Sequence, residues 1–170
     1  MPPASSANRS TRREPVATPT GRPRWGYLAS AWALLFAGLH LFWALGGSSL
    51  LASSAGVALA GDRPRWFVIF GLWGVVLVLL AGAALGLTLA RGRLGSRAAR
   101  LSAVVSCLVG AGLLLRGVGV ELLLLTGAAG VARNAGQDQT RLSLVLWNPW
   151  FVVGGLTFAL AGIQDRRDRA

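Results

Sequence analysis

The sequence predicts an all-α protein, an antiparallel bundle of four transmembrane helices. Hydrophobic residues make up 54% of the 170 residues and the mean hydropathy is +0.56, which is too apolar for an ordinary soluble domain. Four apolar segments are each near or above the roughly 20 residues that cross a hydrocarbon core of about 30 Å as a helix. Strand-like alternation is absent from them, and a backbone in lipid must satisfy its own hydrogen bonds, which favours helices.

The N-terminal residues 1–24 are predicted to form a disordered basic tail. They are rich in Pro, Ser, Thr and Arg and almost free of large apolar side chains, so they bury too little surface to offset the entropy of ordering. Arg12-Arg13 also fits a twin-arginine export signal. The apolar run that follows is too long for the apolar core of a signal peptide, which favours the tail.

Residues 25–164 form the predicted membrane domain, and residues 165–170 a charged cytoplasmic tail. The predicted helices cover about 26–47, 66–90, 101–129 and 143–163. Short connections between them favour an up-down bundle. The first loop, residues 48–65, is longer and has room for a short interfacial segment.

The distribution of arginine predicts the orientation. All 17 basic residues are arginine, and the net charge is +11. Arginines are concentrated in the N-terminal tail, the second loop and the C-terminus, whereas the first and third loops have fewer. The positive-inside rule therefore predicts that both termini lie in the cytoplasm. Since this rule accounts for the positive charge, nucleic acid is not an expected partner, and the expected partner is the lipid bilayer.

The third predicted helix contains two charged residues in the run LLLRGVGVELLLL, residues 113–125. An arginine at mid-helix costs about 2.5–3.5 kcal/mol, and each central leucine offsets about 0.3–0.6 kcal/mol, so insertion is feasible. Arg116 and Glu121 are separated by about 140° around a regular helix, which excludes an internal pair of the i,i+4 type. Gly117 and Gly119 between them permit a local π-bulge or close packing.

Depth along the helices predicts a polar cluster inside the membrane. His40, Glu121 and Asn148 fall about 9–12 Å from the outer ends of their helices at 1.5 Å per residue, and Arg116 lies deeper with a side chain long enough to reach them. Each also has a structural interpretation, because Asn148 could satisfy a carbonyl freed by Pro149 and the two charges could form an ion pair. The supporting residues are Trp43, Gly47, Gly117, Gly119, Trp147, Pro149 and Trp150.

Two main hypotheses follow for this cluster. It is either structural or binds a partner, which includes a second copy of the chain or another membrane protein. Alternatively, it is a binding or permeation site for a small molecule or ion, open to the outer face. A membrane enzyme or quinone-contacting subunit is the weakest hypothesis, because the sequence has no catalytic triad, carboxylate pair, phosphate-binding loop or metal-ligand spacing. No catalytic residue, metal or cofactor is predicted.

Three short stretches resemble a known family, the bacterial integral membrane proteins grouped as domain of unknown function 3995. They are His40-Leu41-Phe42-Trp43-Ala44-Leu45-Gly46-Gly47, Arg116-Gly117-Val118-Gly119 and Leu146-Trp147-Asn148-Pro149-Trp150-Phe151. The resemblance covers roughly residues 29–162. It implies a four-helix membrane protein with an acidic residue close after the arginine, for which Glu121 is the nearest candidate. The expected location is the bacterial cytoplasmic (inner) membrane. The resemblance implies no activity.

Overall fold

The computed structural model describes residues 24–126 and 137–169, and all regular structure in these residues is helical. The helices are α1 (Arg24–Ala44), α2 (Leu51–Ala55), α3 (Val57–Asp62), α4 (Phe67–Arg91), α5 (Ser96–Thr126) and α6 (137–167). Four of them, α1, α4, α5 and α6, are long and apolar enough to cross a membrane. This confirms the predicted helical class and the four candidate spans. The predicted tail of residues 1–24, except Arg24, lies outside the described residues.

The helix ends differ from the predicted ones where charged residues extend a helix. α5 begins at Ser96, with Arg97 and Arg100 in its first turns, and α6 continues to Arg167. Hydropathy detects only the apolar part of such helices, so the predicted starts and ends fall inside them. The predicted end of the third helix, near residue 129, lies outside the described residues. α4 ends at Arg91 and is followed by Gly92, whose φ of 59° is left-handed and suits glycine.

Two of the long helices contain a π-helical part. α4 begins with one at Phe67–Gly74, and α6 has another at Ser143–Trp147, between α-helical parts. The second lies directly before Asn148 and Pro149, which start the α-helical remainder of α6. By contrast, α5 is α-helical throughout its described length, so Gly117 and Gly119 introduce no π-bulge. Wide turns of this kind often occur near functional sites.

The bundle is built from two close helix pairs. α5 packs most extensively on α6, and α1 on α4, while α1 also contacts α6 and joins the pairs. α4 and α5 are consecutive in the chain but make few contacts with each other. At the α5–α6 contact a Cβ built on Gly110 would lie 2.6 Å from the backbone nitrogen of Ala159, so no larger residue fits there.

Large apolar side chains cover the outside of the bundle. Leu115 is 77% exposed on α5, Phe70 is 72% exposed on α4, and α1 and α6 have the larger buried shares of the four spans. The interior is aromatic and contains Trp32, Phe36 and Phe158, each at most 5% exposed. An apolar exterior around a packed aromatic interior is expected for helices that face lipid.

The first loop folds across the end of the bundle where α1 stops. Its short helices α2 and α3 follow a backbone turn in which the Trp43 indole Nε1 donates to the carbonyl oxygen of Ser49 at 2.8 Å. Arg63 donates to the carbonyl oxygen of Trp43 at 3.2 Å and to that of Gly47. The guanidinium therefore adds hydrogen bonds to carbonyl groups at and just after the end of α1, where Trp43 also accepts from the backbone N–H of Gly46.

Candidate functional site

Asn148 lies at a close contact between α5 and α6, toward the end of the bundle that the first loop covers. Its side chain is 1% exposed. A Cβ built on Gly117 of α5 would lie 2.9 Å from the carbonyl oxygen of Asn148 and 2.9 Å from Cγ2 of Val152. Because that space is already filled, only glycine at position 117 lets the backbone of α6 approach so closely. The glycine thus positions the asparagine against α5.

The amide of Asn148 connects the two charged residues of α5. Its Nδ2 donates to Oε2 of Glu121 at 2.7 Å, and its Oδ1 accepts from Nη1 of Arg116 at 3.5 Å. A single amide orientation satisfies both contacts, because the NH2 group faces the carboxylate and the oxygen faces the guanidinium. We call Arg116, Glu121 and Asn148 the polar triad. Its shortest contact is a charge-assisted hydrogen bond.

The polar triad differs from both simple structural interpretations of these residues. Arg116 and Glu121 form no direct ion pair, since among the described residues the ion pair joins Asp165 and Arg169. Asn148 does not use its side chain to satisfy a carbonyl freed by Pro149. The charges five residues apart on α5 are instead joined through a residue of α6.

The Arg116 side chain lies on the exposed surface of α5. Its guanidinium carbon is 5.0 Å from the centre of the Phe151 ring, a cation–π contact with α6. A guanidinium has five N–H donors, and the hydrogen bond to Asn148 uses one of them. The remaining donors have no hydrogen-bond partner within the described residues. Gly119, by comparison, has open space around its Cβ position and does not support close packing.

His40 lies near the polar triad but is not hydrogen-bonded to it. It is 8% exposed, and its Nδ1 donates to the carbonyl oxygen of Phe36 on the same helix at 3.0 Å. Its ring makes edge contacts with Phe36 at 4.6 Å and Trp43 at 4.9 Å between ring centres. Phe36 also contacts Phe151, whose ring lies under Arg116. The structure therefore joins three of the four candidate residues by hydrogen bonds and links His40 to them through aromatic rings.

The predicted supporting tryptophans are packing residues; Trp43 and Trp147 donate through their indole N–H groups, whereas the buried indole N–H of Trp150 has no partner within the described residues. Trp147 contacts Trp43 at 5.9 Å, and its Nε1 donates to Oγ of Ser53 in α2 at 3.2 Å. Trp150 stacks on Trp32 at 5.7 Å, and its carbonyl oxygen accepts from Nε1 of Trp32 at 3.0 Å. These contacts fix the first loop and α1 against α6, directly beside Asn148.

Sequence reasoning did not find the contributions of Arg63, Ser53 and Phe151. Arg63 and Ser53 belong to the first loop, where no pattern indicates which residue meets a helix end or a tryptophan. The available signal was the pair Arg63 and Arg65 after the short apolar stretch of that loop, and it does not show which of the two contacts the helix end. Phe151 follows the quoted tryptophan–asparagine–proline stretch, and its spacing of three from Asn148 on α6 places both on one helix face.

Three cavities in the described part of the protein lie away from the polar triad. One of about 560 Å³ is at the opposite end of the bundle, beside Tyr27 and Arg91, and one of about 280 Å³ adjoins it beside Arg100. The third, of about 360 Å³, is an apolar groove between α4 and α5 with Phe158 among its lining residues. Within the described residues no group of three His, Cys, Asp or Glu side chains could hold a metal ion.

Comparison with known proteins gives one match. The family described as protein of unknown function (DUF3995) matches residues 33–158, most of the chain, which confirms the resemblance seen in the sequence. The match includes the four candidate residues His40, Arg116, Glu121 and Asn148. No curated protein and no solved structure gives a significant match.

Proposed function

The chain belongs to the DUF3995 family, and from that premise we propose that it is an integral membrane protein whose polar triad clamps two helices together and presents Arg116 to a membrane partner. The observation that supports this proposal is the buried amide of Asn148, which contacts the charged groups of both Arg116 and Glu121. The protein is an antiparallel four-helix bundle of a bacterial cytoplasmic membrane, with both termini in the cytoplasm.

Contacts along α5 and α6 support the antiparallel arrangement. A Cβ on Gly162, near the end of α6, would meet Ala103 near the start of α5. At the other end of the contact, Gly117 of α5 meets Asn148 of α6. Along this contact, residue numbers increase in α5 as they decrease in α6, as expected for an antiparallel pair. The arginine-rich second loop and C-terminus lie at the same end of such a bundle, which supports their common cytoplasmic side.

Direct side-chain contacts support the structural role of the polar triad. Hydrogen bonds to charged groups contribute about 1.5–3 kcal/mol each, and an unpaired charge in a low-dielectric site costs more than a paired one. Glu121 and Arg116 have opposite charges, so the group is neutral as a whole. Removing one charge leaves the other without compensation, whereas removing both leaves only the neutral amide of Asn148 without its partners.

The exposed guanidinium of Arg116 supports the partner-binding role. Hydrocarbon offers no acceptor for the N–H donors that the Asn148 contact leaves unused, and an arginine in the outer half of a span is expensive unless a polar group contacts it. A second membrane helix with a carbonyl, hydroxyl or carboxylate acceptor would satisfy these donors, and a second copy of the chain is the simplest source. The same exposure favours, as the alternative function, a small anion bound from the outer face.

Single and double substitutions test the clamp. Arg116→Leu and Glu121→Leu should each lower the thermal stability of the purified protein in neutral detergent, and the double variant should be more stable than the worse single variant. Arg65→Leu, which removes an exposed arginine of the first loop, is the control and should have little effect. A double variant with the summed loss of both single variants contradicts the clamp.

Cysteine cross-linking tests the partner, and reporter fusions test the topology. Cys107 is the only cysteine, so Cys107→Ser gives a background in which Leu115→Cys, 77% exposed beside Arg116, should cross-link to a second copy in membranes. Val78→Cys, 70% exposed on α4, is the control and should stay monomeric. An equal yield from both contradicts a specific partner face.

An exported signal from a reporter at either terminus contradicts the orientation.

A further inference from the structure

The end of the bundle opposite the polar triad contains an arginine-lined cavity that the proposed clamp does not use. It has a volume of about 560 Å³ and lies where α1 begins and where α4 and α6 end. We call it the arginine cavity, and its polar lining residues are Tyr27, Arg91, Arg93, Asp165, Asp168 and Arg169. Leu89 and Ala90, at most 5% exposed, form an apolar floor. The site is thus a polar rim over an apolar base.

Positive charge exceeds negative charge around the arginine cavity. Asp165 is 6% exposed, and both of its oxygens accept hydrogen bonds from Arg169, from Nε at 3.0 Å and from Nη2 at 3.1 Å. The charge of Asp165 is therefore neutralised by Arg169, and the hydrogen bond raises the pKa of Arg169. Within the described residues no ion pair engages Arg91 or Arg93, and Asp168 is the remaining carboxylate.

A second cavity extends the basic surface. It has a volume of about 280 Å³, shares Asp165 and Arg169 with the arginine cavity, and adds Ser96, Arg100 and Arg166. Together the two cavities are lined by five arginines and two aspartates. A guanidinium binds a phosphate oxygen pair with two parallel hydrogen bonds, which makes such a cluster suited to a phosphate ester.

From these observations we propose that the arginine cavity binds the phosphate-bearing headgroup of an anionic phospholipid, with Arg91 and Arg93 as ligands of the phosphate and Tyr27 as a hydroxyl donor. The proposal rests on the proposed membrane placement, which puts this end of the four apolar helices at the headgroup level beside Trp25 and Tyr27. Basic pockets between membrane helices bind anionic headgroups in this way. Arg169 is held in place by buried Asp165 and completes the rim.

Native mass spectrometry of the full-length protein in neutral detergent tests the proposal, with phosphatidylglycerol, phosphatidylcholine or inorganic phosphate added. The wild-type protein should retain phosphatidylglycerol in preference to phosphatidylcholine. Arg91→Gln with Arg93→Gln should reduce that preference at least about tenfold, because charge-assisted hydrogen bonds are lost. The matched control is Arg97→Gln with Arg167→Gln, which removes the same charge from exposed positions at the same end but outside both cavities.

Several results would overturn the proposal. Equal losses in the two double variants would mean that bulk charge, and no specific site, attracts the lipid. Inorganic phosphate that displaces phosphatidylglycerol at equal concentration would assign the cavity to a soluble anion. If Arg91→Gln with Arg93→Gln fails to fold, protection of the wild type against thermal unfolding by phosphatidylglycerol, and not by phosphatidylcholine, is decisive, and its absence contradicts the site. If the protein prefers phosphatidylglycerol but reporter fusions contradict the predicted topology, the binding site stands and the proposed orientation is wrong.

Discussion

The two ends of the bundle use arginine in different ways. At the polar triad, Arg116 contacts an amide and an aromatic ring of α6, and the amide in turn holds Glu121. At the arginine cavity, Arg91 and Arg93 surround open space. The first arrangement satisfies much of its polar chemistry within the chain, whereas the second leaves it for a ligand. We therefore expect the free energy of unfolding to depend on the polar triad and the proposed lipid binding to depend on the arginine cavity.

The largest expected effect on stability comes from replacing Gly117, which lets the backbone of Asn148 approach α5 closely. Gly117→Val would place side-chain atoms where the backbone of Asn148 and Val152 already lies, so the helices must separate and the polar triad must break. We expect the free energy of unfolding to fall by about 3 kcal/mol, measured by thermal or denaturant unfolding in neutral detergent.

Gly119→Val is the matched control for that substitution. It lies on the same helix with open space at its Cβ position, and its effect should stay below about 0.5 kcal/mol. Similar losses in the two variants would show that the close approach at Gly117 does not hold the polar triad together.

Removing the bridging amide is expected to have the next largest effect. Asn148→Leu keeps the approximate size but leaves the Glu121 carboxylate without its 2.7 Å donor, so unfolding should become easier by about 2 kcal/mol. Thr157→Val is the comparison, because its hydroxyl is bonded to Gly154 within the same helix and its loss should cost less. Equal effects would mean that Asn148 acts only as a space-filling residue.

A smaller effect is expected at the loop that covers the same end. Arg63→Gln removes the guanidinium that donates to the carbonyl oxygens of Trp43 and Gly47, and the end of α1 should lose about 1 kcal/mol. Hydrogen exchange of the last turn of α1 measures this locally. Arg65→Gln, which changes an exposed neighbouring arginine, should leave the hydrogen exchange of this turn unchanged. Faster exchange in both variants would mean that loss of positive charge, and not loss of the hydrogen bonds, destabilises the turn.

The smallest effect on stability is expected at the arginine cavity, and it tests whether this end of the bundle stabilises the fold. Without added lipid, Arg91→Gln with Arg93→Gln should change the free energy of unfolding by less than about 0.5 kcal/mol, because both side chains are exposed and unpaired within the described residues. Thermal unfolding in neutral detergent checks this. A loss as large as that of Asn148→Leu would mean that the arginine cavity also stabilises the fold.

Much of the fold could be predicted because a helix needs about 20 apolar residues to cross the hydrocarbon core, so the length of an apolar run indicates a span. All four candidate spans were predicted, but the start of α5 and the end of α6 were not. Charged residues such as Arg97 and Arg167 continue these helices beyond their apolar parts. The sequence predicted room for a short interfacial segment in the first loop but not its two helices, which hydrogen bonds from Trp43 and Trp147 hold in place.

The polar triad was only partly predictable. Constant rise per residue placed Glu121 and Asn148 at one depth, and they are bonded. Depth does not give rotation about the helix axis, so it could not show that His40 bonds to Phe36 of its own helix. The π-helical part Ser143–Trp147 directly precedes Asn148 and affects the direction in which its side chain points. No clear pattern in the sequence predicts a π-helix there.

A double-mutant cycle between Asn148 and Glu121 tests the central claim most directly. The free energies of unfolding of Asn148→Leu, Glu121→Leu and the double variant give the coupling between the two side chains. If the polar triad is a structural clamp, the coupling is at least about 1 kcal/mol, because the hydrogen bond of 2.7 Å is lost only once in the double variant. Additive effects, with a coupling near zero, would contradict the clamp.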